Sequence, residues 1–149
     1  MSRKKAGALR GDPPAPVKPI LTRVMESVMT LIDGLNLYAP ITRGALGTGN
    51  SLTCEVDPSN PDTVFLDKNQ YIVLDVIING KHDDLEILTN AMNKIHEDLT
   101  WMTSYPSDTD WRITDICTMT EPQIIGREDD GKWIQASALL VKVETIKTR

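Results

Sequence analysis

Two histidines and two cysteines are the side chains here best suited to hold a metal or attack a substrate, and their spacing supports neither task. His82 and His96 stand fourteen positions apart with no cysteine close to them in sequence, whereas zinc sites draw their ligands in close pairs. His82 is expected in the turn before a helix and His96 on that helix's polar side, both as surface groups. Cys54 and Cys117 fall on strand-like stretches, where cysteine behaves as a small hydrophobe. They are expected reduced and buried, without a disulfide. Neither carries a nucleophile signature, and no Gly-x-Ser-x-Gly elbow occurs.

Carboxylates are plentiful but come as neighbours in sequence: Asp83-Asp84, Glu97-Asp98 and Glu128-Asp129-Asp130. The first pair reads as a helix start, where negative charge meets the positive end of the backbone dipole. The last reads as a solvated hairpin tip, and the Asp-x-Asp-x-Asp-Gly pattern of a calcium loop is missing. Gly44-Ala45-Leu46-Gly47-Thr48-Gly49-Asn50 has neither a Gly-Lys-Ser/Thr ending nor a following helix, so it reads as a flexible loop and not as a phosphate cradle. This inventory points away from an enzyme, and no cofactor or metal is expected.

Charge divides the chain unevenly. Residues 1–18 hold Arg3, Lys4, Lys5, Arg10 and Lys18 against Asp12 alone, while the remainder carries a balance of −9. An acidic body does not suit a phosphate backbone, which needs clustered Lys and Arg. The basic stretch could instead dock on an acidic protein face. Pro13, Pro14, Pro16 and Pro19, with Gly7 and Gly11, make residues 1–19 too poor in apolar surface to offset their conformational entropy. They are expected to form a disordered or extended arm. The first twenty residues are basic and Pro-rich without an apolar h-region, so a secretory leader is not expected, and no apolar run approaches the ~20 residues of a membrane span. A soluble chain is expected.

The remaining residues, 20–149, supply one core. Leu21, Val24, Met25, Val28, Leu31 and Ile32 recur at helical spacing from Ile20 to Asp33, with Gly34 at the C-cap. An extended segment and loop should follow to Asn50. Leu52, Cys54 and Val56 alternate as a half-buried strand, and Val64 to Leu66 as a brief further one. Gln70 to Asn79 is apolar on both faces, which predicts a central strand covered twice. Asp75 interrupts it, and is therefore expected at a subunit contact or hydrogen-bonded. A second helix is predicted to begin at Asp83, with Glu86 completing a capping box, and to bury Leu85, Leu88, Met92, Ile95 and Leu99. Trp111 to Thr120 and Trp133 to about Thr145 predict two closing strands, the first broken or bent at Pro122. The fold class is α+β: a mixed, largely antiparallel sheet of about four to five strands packed by two helices.

From Gln70 to Lys81, through the helix ending at Leu99, and on through Trp111–Ile116, Pro122, Ile125-Gly126 and Trp133-Ile134, the chain resembles the tail-terminator and minor-capsid (neck) proteins of tailed bacteriophages. The resemblance spans roughly residues 20–145 and rests on the pattern of elements. It implies a homo-oligomer, a hexameric ring on the end of the tail tube. That ring would meet the tail tube protein and a head–tail connector or head-completion protein. It further implies a place in the virion tail or neck after assembly in the host cytoplasm, no membrane partner, and DNA passing the lumen unbound. Candidate partner-binding residues are Arg3, Lys4, Lys5 and Arg10 on the arm, Asp75, and Glu128, Asp129 and Asp130. The alternatives are a tail-completion or head-closure protein and, from another class, a nucleic-acid-binding regulator using the arm.

Overall fold

The computed structural model describes residues 18–57, 62–66 and 69–146, with backbone alone for 62–66 and 69–70. Arg3, Lys4, Lys5 and Arg10 lie outside the described residues. Helix α1 (Ile20–Asp33) follows its apolar stripe and buries Val24, Met25, Val28 and Ile32. Pro19 at its start offers no side-chain cap, but the Lys18 and Pro19 carbonyls accept from Arg23 Nε and Arg23 N at 3.0 and 3.1 Å. The chain then turns at Asn36, whose φ of 56° is tolerated in asparagine, and enters β1 (Ile41–Arg43).

Strands β2 (Ser51–Val56), β3 (Asp62–Leu66) and β4 (Asn69–His82) come next, then helix α2 (Leu85–Thr100), then β5 (Trp111–Arg127) and β6 (Trp133–Thr145). The sheet runs β1-β2-β4-β6-β5, with β3 also paired to β4. Among the described residues, β1 and β2 pair in parallel and the other pairings are antiparallel. The mixed, largely antiparallel α+β fold read from the sequence is thus the one observed. Val56 faces Val76 and Asp62 faces Val73, so β2 and β3 lie end to end along one side of β4. On its other side β6 pairs with β4 from Gln70–Thr145 to His82–Trp133.

One local expectation needs correction and another is resolved. Helix α2 is capped by Asp84 and not Asp83: Asp84 Oδ1 accepts from Glu86 N at 2.9 Å and Ile87 N at 3.3 Å. Asp83 points instead to Lys132 Nζ, 2.6 Å away. Of the break or bend expected at Pro122, the structure shows the second: β5 continues to Arg127, with a register shift between Thr120 and Gln123. Because β5 is an outer strand, a missing N–H there need cost no ladder bond.

One core joins the buried stripes of α1 and α2 to Leu52, Cys54, Leu74, Val76, Ile78, Leu139, Val141 and Val143. Burial pushes the Cys54 thiol up to about 11, so it stays protonated and inert at neutral pH. Cys117 is half-buried, and both cysteines are free. The helix layer comes so close to β4 at Gly80 that a Cβ there would sit 2.7 Å from Leu88 Cδ1 and 2.9 Å from Met92 Sδ. Gly126 has nothing within 4 Å of the same construction. Gly80→Ala should therefore destabilise the fold by about 1–3 kcal/mol through overpacking, whereas Gly126→Ala should stay within about 0.5 kcal/mol of the parent. Urea unfolding of both variants checks the difference.

Candidate assembly surface

Side chains alternate across a strand, so the residues between those core positions point to the opposite face. Tyr71, Val73, Asp75, Ile77 and Asn79 on β4 stand beside Glu144, Lys142, Leu140, Ala138 and Ala136 on β6. Among the described residues, no helix covers this face. The expected second cover of β4 is not supplied by a helix among the described residues: both helical stripes are absorbed by the core face, leaving Val73, Ile77, Ala138 and Leu140 only partly buried. More exposed apolar groups continue onto β5, where Met119 is 50 % and Ile125 61 % exposed.

The small side chains of Ala136 and Ala138 make a depression between Ile77 on one side and Met119 and Ile125 on the other. The resulting open groove has a volume of about 280 Å³, with Asp57 and Asp75 also lining it. Asp75 is buried, 3 % exposed, and its carbonyl accepts from Asp57 N at 2.8 Å. The sequence singled out this aspartate as an anomaly on an apolar face, and here it joins the groove.

Ion pairs frame the face at both ends. Towards Trp111, the buried Glu144 carboxylate accepts from Tyr71 Oη at 2.8 Å and Arg112 Nε at 2.6 Å. These bonds hold its carboxyl below the usual glutamate range, Tyr71 contributing most, and raise the Tyr71 phenol in return. Towards the β5–β6 hairpin, the buried Lys81 donates to Gly47 O at 3.2 Å and pairs with Glu128. One cation thus joins the glycine-rich loop to the hairpin tip. Asp130 Oδ1 accepts from Lys132 N at 3.0 Å, and Asp129 is exposed at the turn. Arg127 stacks over the Trp133 ring at 4.5 Å. Glu128, Asp129 and Asp130 are therefore brought together at the tip, but apart from Asp75.

On the helix side the histidine expectations change. His82 ends β4, and its Nδ1 accepts from Asp84 N at 2.8 Å while the ring meets Tyr38 edge-on. His96 is no surface group: it is 6 % exposed and its Nδ1 lies 2.8 Å from Thr118 Oγ1 on β5. It belongs to the buried stripe because α2 packs across β5, a contact the isolated helix pattern does not reveal. Trp101, at the end of α2, is 82 % exposed beside the cavity that His96 helps line. Neither Trp101 nor the Met119–Ile125 patch was found from sequence. The signal available was Ile124-Ile125: adjacent strand residues face opposite ways, so at least one of the pair must leave the core face, and here both are more than half exposed.

Among the described residues, fold and surface define a two-layer α+β domain with one sheet face that no helix covers and no cluster of three or more metal-ligating side chains. No family model matches the chain, and no curated protein does. Among solved structures, a chain from the virion of a native gene transfer agent particle shares the fold. Its TM-score is 0.53, over 79 % of this chain and 85 % of that one, at 14 % identity.

Burial lowers the His96 pKa below its ordinary 6.5, with Glu121 acting weakly in the opposite sense. The unfolded chain then takes up a proton at a pH where the folded chain does not, so stability is complete above about pH 6.5 and falls as pH drops through that value. Glu144, Asp110 and Asp83 have depressed folded pKa values. Their contributions are likewise lost on acidification, but only in the carboxylate range near pH 4. His96→Gln, which can keep a bond to Thr118, should flatten the loss between pH 7 and 5 and leave the loss near pH 4 intact. Thermal unfolding across that range reads both arms.

Proposed function

We propose that the chain is a structural subunit of a phage-like particle, forming a hexameric ring that caps the tail tube and carries the head connector. The observation supporting it is the bare sheet face with its exposed Met119 and Ile125, on a fold shared with a chain of a gene transfer agent virion. Contiguous apolar surface of this kind marks sites of protein contact. A single copy used head to tail closes into a ring when the rotation between neighbours is right. The ring form, its sixfold count and its neck position come from the phage resemblance of residues 20–145.

The chemistry fits passive conduct of DNA. Beyond residue 18 the balance is −9, so a lumen faced by this body repels phosphates and holds none. Adhesion is then the whole of the task, with the tail tube protein below and a connector or head-completion protein above. The head-closure alternative makes a different particle: full-length tails beside leaking heads, where loss of a terminator leaves tails of abnormal length.

Two exposed apolar positions provide the test. Met119→Lys with Ile125→Glu should leave the fold intact, since surface changes away from special features shift stability by about 0.5 kcal/mol or less. Native mass spectrometry should then show sixfold species for the parent with tail-tube protein, and monomer for the variant. Negative-stain images of particles carrying the variant should show tails of irregular length. Parent chain that stays monomeric on the tube, or uniform tails with leaking heads, would count against the terminator reading.

A further inference from the structure

One row of residues across the sheet ends in opposite charges at its two edges. Arg43 on β1 pairs with Cys54 on β2, Cys54 with Ile78 on β4, and Ile78 with Ser137 on β6. On β5, Thr120 faces Ala138 and Gln123 faces Ala136, so the row of Ser137 meets the rim at Glu121 and Pro122. Arg43 shares a strand face with Ile41, two residues before it, and Ile41 belongs to the core. Its side chain therefore leaves the edge on the helix side of the sheet. Arg23 pairs with Asp108 and Asp110, Arg112 with Glu144, and Arg127 lies over Trp133. Arg43 is exposed and, among the described residues, has no ion pair or hydrogen bond.

At the other edge, also on the helix side, α2 and β5 border an open cavity of about 360 Å³ whose lining includes His96, Glu97, Trp101, Thr118 and Glu121. Glu97 and Trp101 stand four apart on α2, neighbours at roughly 5–6 Å between Cβ atoms. Trp101 is 82 % exposed. Asp98 is paired with Lys94, but Glu97 and Glu121 have no ion pair among the described residues. The last turn of α2 holds no basic residue, so the negative end of the backbone dipole adds to the two carboxylates. His96 supplies an independent sign. It is 6 % exposed, its Nδ1 is engaged with Thr118, and its buried Nε2 has no hydrogen-bond partner among the described residues. With the ring proton on Nδ1, that nitrogen is an acceptor lacking a donor. An exposed indole, two unpaired carboxylates and a ring acceptor together suit a planar cation that donates in several directions, which is a guanidinium.

We propose that Arg43 of one copy enters this cavity on an adjacent copy, where its guanidinium lies against Trp101 and pairs with Glu97 and Glu121. Four strand spacings separate β1 from β5, about 19 Å, which is too far for an arginine to reach across its own molecule. Copies set side by side with their rows aligned bring the β1 edge of one to the β5 edge of the next. The contact deepens the proposed ring and rests on its head-to-tail association. Met119 and Ile125 line the groove on the other face of β5, so the two contacts flank one strand without competing for the same surface.

Charge exchange in the full chain tests it, with dissociation of the oligomer followed by native mass spectrometry over a dilution series with tail-tube protein present. Arg43→Glu alone, and Glu97→Lys with Glu121→Lys, should each weaken association about tenfold, because like charges then meet. A chain with all three substitutions should regain most of that loss, since the pair is restored with its signs reversed. Trp101→Ala should weaken association about threefold, the size of an exposed cation–π contact. A lysine in the last turn of α2 suits the helix dipole, and thermal unfolding checks that each variant is folded. Should Glu121→Lys unfold the chain, Glu97→Lys with Arg43→Glu makes the same exchange. No recovery in the combined variant would overturn the contact. So would loss on changing Glu97 and Glu121 with Arg43→Glu silent, which gives the cavity to a basic group of a different protein. Oligomers that survive every one of these changes but fall apart with Met119→Lys and Ile125→Glu overturn the Arg43 contact and leave the ring standing. A parent chain that is monomeric throughout overturns both.

Discussion

The long antiparallel ladder between β4 and β6 organises the molecule. Thirteen residue pairs hold the two strands from Gln70–Thr145 to His82–Trp133, and every other strand but β1 hangs from one of them. β2 and β3 take the free side of β4, β5 takes the free side of β6, and β1 attaches through β2. Because side chains alternate, this ladder also decides which residues meet the helices. Leu74, Val76 and Ile78 with Leu139, Val141 and Val143 receive both α1 and α2, and the intervening positions are committed to the other face. A one-residue slip would exchange the two sets. Core and contact surface are therefore two readings of a single register.

That division explains what was legible beforehand. The bounds of α1 follow from a clean stripe closed by Pro19 and Gly34, and they match the observed helix. The closing strands were readable because their alternation is sustained. What stayed hidden depends on a third element. His96 looks polar on an isolated helix and is buried only because β5 passes beneath it. Asp83 and Asp84 are equivalent caps in sequence; Lys132, far along the chain, engages the first and leaves the second to the helix. A strand apolar on both faces reads as doubly covered, since periodicity reports hydrophobicity and not the number of layers available. Here both helical stripes join the same core, so among the described residues the second face is left without a helix.

The candidate residues of the surface sort the same way. Asp75 was detectable as a charge among Val and Ile, and it joins the groove. Glu128 was read as part of a charged tip, yet its partner Lys81 belongs to the end of β4 and also holds the Gly47 carbonyl. The loop from Gly44 to Asn50 is thereby linked to the hairpin by a buried cation, which no local pattern announces. At this end of the domain Glu128 and Asp83 are paired with lysines, and the apolar stretch around Ile77 and Ile125 is left as a part with surface to offer.

Strand β5 deserves its place at the rim for a reason unrelated to contact chemistry. An outer strand of seventeen residues is a ready template for another chain's backbone. Here the ladder to β6 shifts at four points, and Pro122 removes a donor within the strand. Each irregularity bends the rim and spoils the even row of amides that a straight incoming strand requires. Copies of the chain brought close together are thereby hindered from zipping their rims into a continuous sheet, so the same kinks that distort the hairpin disfavour fibril formation.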